Sequence, residues 1–256
     1  MRIALNPAGE VGRRAGRILL SERDLDALGI YGQRGAGTED RRSMAITGLS
    51  GFSVLVTDAT DGLALAAIAA EDGLDCVLAG DATPDGSLAS RFAAAGKTLV
   101  IAADLACGIA ETLARHEMAR TEVDLAVTVA WTDSGKPLRR GEAVPFPDPV
   151  GALWGRKQAR RPADVVPTTR LVAHIEGPWA AAMARVTGRR GTRVVERIVG
   201  VADHGNHLRA LALAAGAVAV AEGTFAPGVH HPADAGDSYL AVLLRMGLEV
   251  ACYDLV

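Results

Sequence analysis

An apolar run, then a turn, then a helical segment recurs through the first half of the chain, and this order restricts the fold more than any other feature. "RIALN" leads into an amphipathic segment at 11–20, "FSVLVTDATDG" into "LALAAIAAEDG", "LDCVLAGDATPDG" into "SLASRFAAAG", and "KTLVIAADLACG" into "IAETLARHEMAR". "LDALGIYGQRG" adds a short run ending in glycines. Runs of Val, Leu and Ile without polar alternation are strands buried on both faces, and helices between them make the sheet parallel. Gly73 and Gly96 stand where the helices end and a positive φ is wanted, and Ser87 is a candidate N-cap.

The loops "VTDATDG" (56–62) and "AGDATPDG" (79–86) echo one another, each following a strand and preceding a helix. In a parallel sheet both emerge at the carboxyl edge, where open α/β sheets bind ligands. Their Asp and Thr residues either line that pocket or cap the helices that follow.

The pattern changes near residue 121. "VDLAVTVAW" reads as a strand, and the Pro- and Gly-rich stretch from 133 to about 161 reads as a long irregular connection, either a surface segment or part of a site. "AAAMARVTGRRGTRVVERIVGVAD" predicts two strands around an "RRG" turn, and helices are expected at about 206–222 and 236–246. The expected division is 1–121, a parallel α/β domain, and 122–256, an α+β domain built on an antiparallel sheet.

Composition excludes several classes of function. Net charge is −3, so no general electrostatic pull on nucleic acid exists. Hydrophobic residues make up 49% and aromatics 4%, so Ala, Val and Leu fill the core. Cys76, Cys107 and Cys252 are too few and too scattered for a disulfide framework or a zinc site. No signal-peptide pattern stands at residues 1–20, and "LALAAGAVAVAEG" (211–223) is too short to span a bilayer. A cytoplasmic setting without membrane or nucleic-acid partners is expected.

The first turn, "NPAGEVGRRAG" (6–16), comes close to the dinucleotide fingerprint G-x-G-x-x-G. Gly9 and Gly12 occupy the second and third glycine positions, while Pro7 stands at the first. The second glycine lets backbone approach a pyrophosphate, the third brings helix and strand together, and the helix start offers N–H groups to the phosphates. Gly9, Glu10, Val11 and Gly12 are therefore candidate cofactor-binding residues of a Rossmann-type domain. Pro7 fixes φ near about −65° and lacks an N–H, so the cradle either survives stiffened or takes another path. After the second strand stands Arg34 in place of the acidic residue that holds an NAD ribose. A guanidinium suits a 2′-phosphate, which favours NADP(H) over NAD(H), unless Arg34 is an ordinary solvated charge. Thr57, Asp58 and Asp81 would line the nicotinamide edge.

Asp104, at the strand end in "AADLACGIAETLARH", and His204, in "DHGNH", are the candidate proton donors. Asp104 as a cap, Cys107 as a small buried hydrophobe and His204 in a structural role are the plainer readings. No third ligand stands near His204 and His207 at metal-binding spacing. The basic stretch at 139–161 either clamps a carboxylated substrate or forms a solvated loop.

With these segments in view, the chain resembles the saccharopine dehydrogenase-like NAD(P)-dependent oxidoreductases. Its N-terminal part is similar to related Rossmann reductases such as dihydrodipicolinate reductase. "NPAGEVGRRAG" (6–16), "AADLACGIAETLARH" (102–116) and "GVHHPADAGDSYLAVLLRMGLEV" (228–250) carry the likeness. In the tail, Pro232 and Gly247-Leu248 match, whereas Ala233 stands where an acid is common, and Ala106-Cys107-Gly108 replace a Pro-Gly pair. The resemblance implies a Rossmann domain followed by an α+β substrate domain, often homodimeric. It also implies hydride transfer between NADP(H) and a C–N or C–O bond of a small carboxylated amine, imine or carbonyl compound. A non-catalytic ligand-binding or sensor protein on the same scaffold, with a degenerate turn at Pro7, is the rival reading. A cofactor-free isomerase or lyase using Asp104 and a histidine is a third.

Overall fold

The structure is a computed structural model and describes residues 1–32, 40–159, 168–190 and 192–255. It divides into two compact units, Met1–Asp104 with Arg209–Met246, and Leu105–Leu208 with Gly247–Val256.

The first unit is built on a seven-stranded sheet. Its strands are β1 (Arg2–Asn6), β2 (Ala27–Tyr31), β3 (Ser43–Ile46), β4 (Val54–Thr57), β5 (Asp75–Leu78), β6 (Thr98–Val100) and the short Gly228–His230, β13 in chain order. The order is β13-β6-β5-β4-β1-β2-β3, and every neighbouring pair is parallel. Helices α1 (Glu10–Ser21), α2 (Gly62–Glu71) and α3 (Gly86–Ala94) make the crossovers. As the continuous apolar runs require, Val54, Leu55 and Val56 on β4 are buried on both faces. Leu55, Ala66, Ala69, Phe92 and Leu99 belong to one core cluster.

Gly73 (φ +70°) and Gly96 (φ +65°) follow α2 and α3 in the left-handed region, as expected. The N-cap of α3 is Asp85 rather than Ser87. Its carboxylate accepts from the Leu88 N–H at 2.7 Å, and Ser87 already lies inside the helix. The edge strand β3 had no clear signature in the sequence, because "SMAI" offers only three apolar residues in a row, none of them buried.

The second unit opens with a π-helical turn, Leu105–Ala110, that runs into α4 (Glu111–Met118). Its sheet contains β7 (Glu122–Ser134), β8 (Glu142–Pro145), β9 (Ala152–Lys157), β10 (Thr168–Ile175), β11 (Trp179–Arg190), β12 (Arg193–His204) and β14 (Ala251–Leu255). The order is β14-β12-β11-β7-β10-β9-β8. All neighbours are antiparallel except β10 and β7, which makes the sheet mixed. Ala130, Leu171, Ala173, Ala181 and Met183 belong to its core. The connection expected to be irregular contains β8 and β9. With only Val144 buried in β8, no period of two was readable there.

A single division at 121 does not describe these units. The segment Leu105–Thr121 belongs with the second sheet, because the π-helical turn and α4 pack on β7 and β11. The chain then returns: helix α5 (Gly205–Ala221) begins in the second unit and continues into the first, followed there by β13 and α6 (Asp237–Arg245). The buried Tyr239 hydroxyl on α6 donates to the Ala212 carbonyl at 2.7 Å and ties α6 to α5. Among the described residues no helix is long and apolar enough to cross a membrane.

Candidate functional site at the carboxyl edge of the first sheet

From β1 the chain builds outward to β2 and β3, then returns to the other side of β1 to form β4. The carboxyl ends of β1 and β4 flank this reversal, which is where doubly wound sheets take their ligands. Two segments meet there, the Pro7–Gly12 turn after β1 and the loop that starts at Asp58 after β4.

They meet through one carboxylate. Asp58 accepts from the Ala8 N–H at 2.6 Å, the Gly9 N–H at 3.0 Å and the Gly12 N–H at 2.7 Å. Gly9 is the N-cap of α1 and has no side chain with which to cap it, so a residue from the loop after β4 supplies the missing acceptor. A carboxylate at this end also opposes the partial positive charge of the helix. At the other end, the Arg42 guanidinium donates to the Leu20 carbonyl and, at 3.0 Å, to the Glu22 carbonyl, and Asp40 braces it at 2.8 Å. The Arg42 guanidinium holds the Asp40 carboxyl at about 2, well below the usual carboxylate range.

The glycines serve this contact. A Cβ on Gly12 would lie 2.4 Å from Asp58 Oδ1 and 2.8 Å from Pro7 Cα, and one on Gly9 would lie 3.1 Å from Asp58 Oδ2. Gly16, a further small residue on the strand-facing side of α1, brings helix and strand together: its Cβ would lie 2.9 Å from Leu5 Cδ2. Below the turn, Thr57 Oγ1 donates to Asn6 Oδ1 at 3.2 Å and accepts from the Ala59 N–H at 3.0 Å, while Asn6 Nδ2 donates to the Tyr31 carbonyl at 3.2 Å. Asn6 thereby joins the ends of β1, β2 and β4. Thr57 is buried in this knot.

The remaining predicted residues fall as follows. Glu10 is exposed and pairs with Arg13 at 3.2 Å, and Val11 is half-buried in the first turn of α1. Asp81 is exposed in the loop after β5, beside the Asp58 loop on the same sheet edge. Arg34 lies outside the described residues. Asp104 is half-buried, and its N–H donates to the Ala102 carbonyl at 2.8 Å. Ala102 turns the chain there at φ +55°, an unusual conformation for a residue with a side chain. His204 belongs to the second unit, at the exposed end of β12. It stacks on its cross-strand partner Trp179 at 4.9 Å between ring centroids, and Asp203 approaches His207 at 3.7 Å. The structure thus brings Gly9, Gly12, Thr57 and Asp58 together. Asn6 and the Ala8 N–H were missed; the polar residue ending an apolar strand was the one available signal for Asn6.

The second unit also buries charge. Arg170 donates to Glu111 Oε1, which also accepts from the Cys107 thiol at 3.4 Å. The Glu111 side chain is 11% exposed and that of Arg170 6%.

A parallel sheet joined in the chain to a mixed sheet with helices is the fold of the two-domain dehydrogenases. Among solved structures, an engineered D-amino acid dehydrogenase bound to NADP+ matches with a TM-score of 0.56 at 15% identity, over 90% of this chain and 92% of that one. The DAP dehydrogenase of C. glutamicum, in complex with DAP, matches with a TM-score of 0.54 at 16% identity, over 90% and 92%. No protein-family model matches the chain, and no curated protein matches it by sequence.

Nicotinamide dinucleotides place their pyrophosphate at such a turn, and the donor set here suits one. Three N–H groups converge on a single anionic group, and Gly12 leaves the space that this anion fills. The Asp58 carboxylate now occupies these donors, and a pyrophosphate would require the same ones.

Proposed function

We propose that the chain is an oxidoreductase that transfers hydride between NADP(H) and a C–N or C–O bond of a small carboxylated amine, imine or carbonyl compound. The observation that carries this reading is the convergence of the Ala8, Gly9 and Gly12 N–H groups on one anion at the β1/β4 reversal. The two solved structures of similar fold support it, one named as a D-amino acid dehydrogenase bound to NADP+ and the other as a DAP dehydrogenase in complex with DAP. In this reading Gly9, Glu10, Val11 and Gly12 receive the pyrophosphate at the start of α1, and Arg34 takes the 2′-phosphate that separates NADP from NAD. Thr57, through the Asn6 knot, fixes the backbone on which Asp58 and the nicotinamide edge depend. The cofactor supplies the hydride chemistry; the chain orients it and moves a proton. Asp104 or His204 gives or takes that proton at the substrate's nitrogen or oxygen. Membership of the saccharopine dehydrogenase-like group, a homodimeric assembly and a cytoplasmic setting complete the proposal.

Calorimetric titration with NADPH, NADP, NADH and NAD tests it. NADPH is expected to bind more tightly than NADH, and Arg34→Ala should weaken NADPH about tenfold while leaving NADH unchanged. Equal loss for both nucleotides would remove Arg34 from cofactor choice.

A second reading is favoured by Asp58 itself. On a scaffold whose donors are already satisfied, and whose Pro7 adds no N–H, the domain serves as a ligand-binding or sensor module without turnover. Absence of binding by all four nucleotides would select it.

A further inference from the structure

We infer that Asp58 is a resident competitor for the phosphate cradle: its carboxylate holds the donors of the β1–α1 turn until an anion displaces it, and so sets the affinity of that turn for a dinucleotide. The inference rests on the cofactor reading above and deepens it.

The geometry makes the competition direct. Asp58 engages the Ala8, Gly9 and Gly12 N–H groups at 2.6–3.0 Å, and Pro7 has none to add. A carboxylate and a pyrophosphate are both anions and require the same donors, so one excludes the other. Moving Asp58 does not require moving its strand. Thr57 fixes the local backbone through Asn6 Oδ1 and the Ala59 N–H, and the half-buried Asp58 side chain reaches the cradle from that fixed base. Rotation about its own side-chain bonds releases the donors.

A purely structural cap and a competitor predict opposite signs. Loss of a cap lowers stability and adds no ligand affinity. Loss of a competitor opens an anion site. The wild type, Asp58→Ala and Asp58→Asn are titrated calorimetrically with inorganic pyrophosphate and with NADPH, their folds compared by far-ultraviolet circular dichroism. The expected result is pyrophosphate bound about tenfold or more tightly by Asp58→Ala than by the wild type. Asp58→Asn should fall between them, because its amide oxygen accepts hydrogen bonds without a charge. Should Asp58→Ala fail to fold, the Asn variant decides alone, a gain supporting competition and no gain overturning it. Pyrophosphate affinity unchanged or weakened in the folded variants, or NADPH bound equally well by all three, overturns the inference, while NADPH binding in either case leaves the cofactor reading standing. Tighter pyrophosphate with no NADPH binding by any variant keeps the competition and overturns the cofactor reading instead.

Discussion

Gly12 and Asp58 require one another: the Gly12 N–H donates to Asp58 Oδ2 at 2.7 Å, and a methyl group on Gly12 would stand 2.4 Å from Asp58 Oδ1. The glycine that a dinucleotide fingerprint would reserve for a cofactor or for helix packing is needed here by a side chain of the same chain. Gly12→Ala is expected to destabilise the protein by about 1–3 kcal/mol, as overpacking at a tight contact does. In an Asp58→Ala background the cost should fall, because the clash with the carboxylate is removed while that with Pro7 Cα at 2.8 Å persists. A double-mutant cycle by urea denaturation measures this coupling, and strict additivity would contradict it.

The buried Arg170–Glu111 pair makes a second prediction. Removing one partner strands the other charge away from water, so Arg170→Ala or Glu111→Gln is expected to cost about 3–5 kcal/mol. The double replacement Glu111→Leu with Arg170→Met should cost less than the two single changes summed, since neither charge of the pair is then left without the other. Chemical denaturation of the three variants checks the order.

Thiol chemistry should separate the cysteines. Cys76 and Cys107 are buried and Cys252 is exposed, and burial pushes the Cys76 thiol up. A disulfide reagent added to the native protein should modify one thiol rapidly, and Cys252→Ser should abolish that fast phase. Fast modification of two or more thiols would contradict the burial.

Acid should weaken the C-terminal cap of α1. The Asp40 carboxyl is held at about 2 in the folded protein against an ordinary 3.8, so its contribution is present above the ordinary value and lost as pH falls through the lower one. Between pH 4 and 2 the wild-type melting temperature should therefore fall further than that of Asp40→Asn. Parallel declines would remove Asp40 from the acid response.

The parallel sheet was legible because Val54–Val56 and the like are apolar without interruption, and only burial on both faces requires that. The carboxyl edge was legible for the same reason: strands that alternate with helices put their loops on one side. The internal ligand of the turn was not. Asp58 follows Gly12 by 46 residues, and nothing in the spacing distinguishes an aspartate that caps its own α2 from one that reaches across to α1. Arg42 escaped notice likewise, since its partners Leu20 and Glu22 are backbone carbonyls with no mark in a sequence. The return of residues 209–246 to the first unit is a matter of packing, and β13 is too short to show a pattern.

The most direct test of the account is an amide nuclear magnetic resonance titration of the isotopically labelled protein with NADPH. The Ala8, Gly9 and Gly12 N–H signals should shift together and saturably, because the donors that now hold Asp58 would pass to the pyrophosphate. Saturable binding that leaves those three amides unmoved, or no binding at all, would contradict a dinucleotide site at the β1–α1 turn.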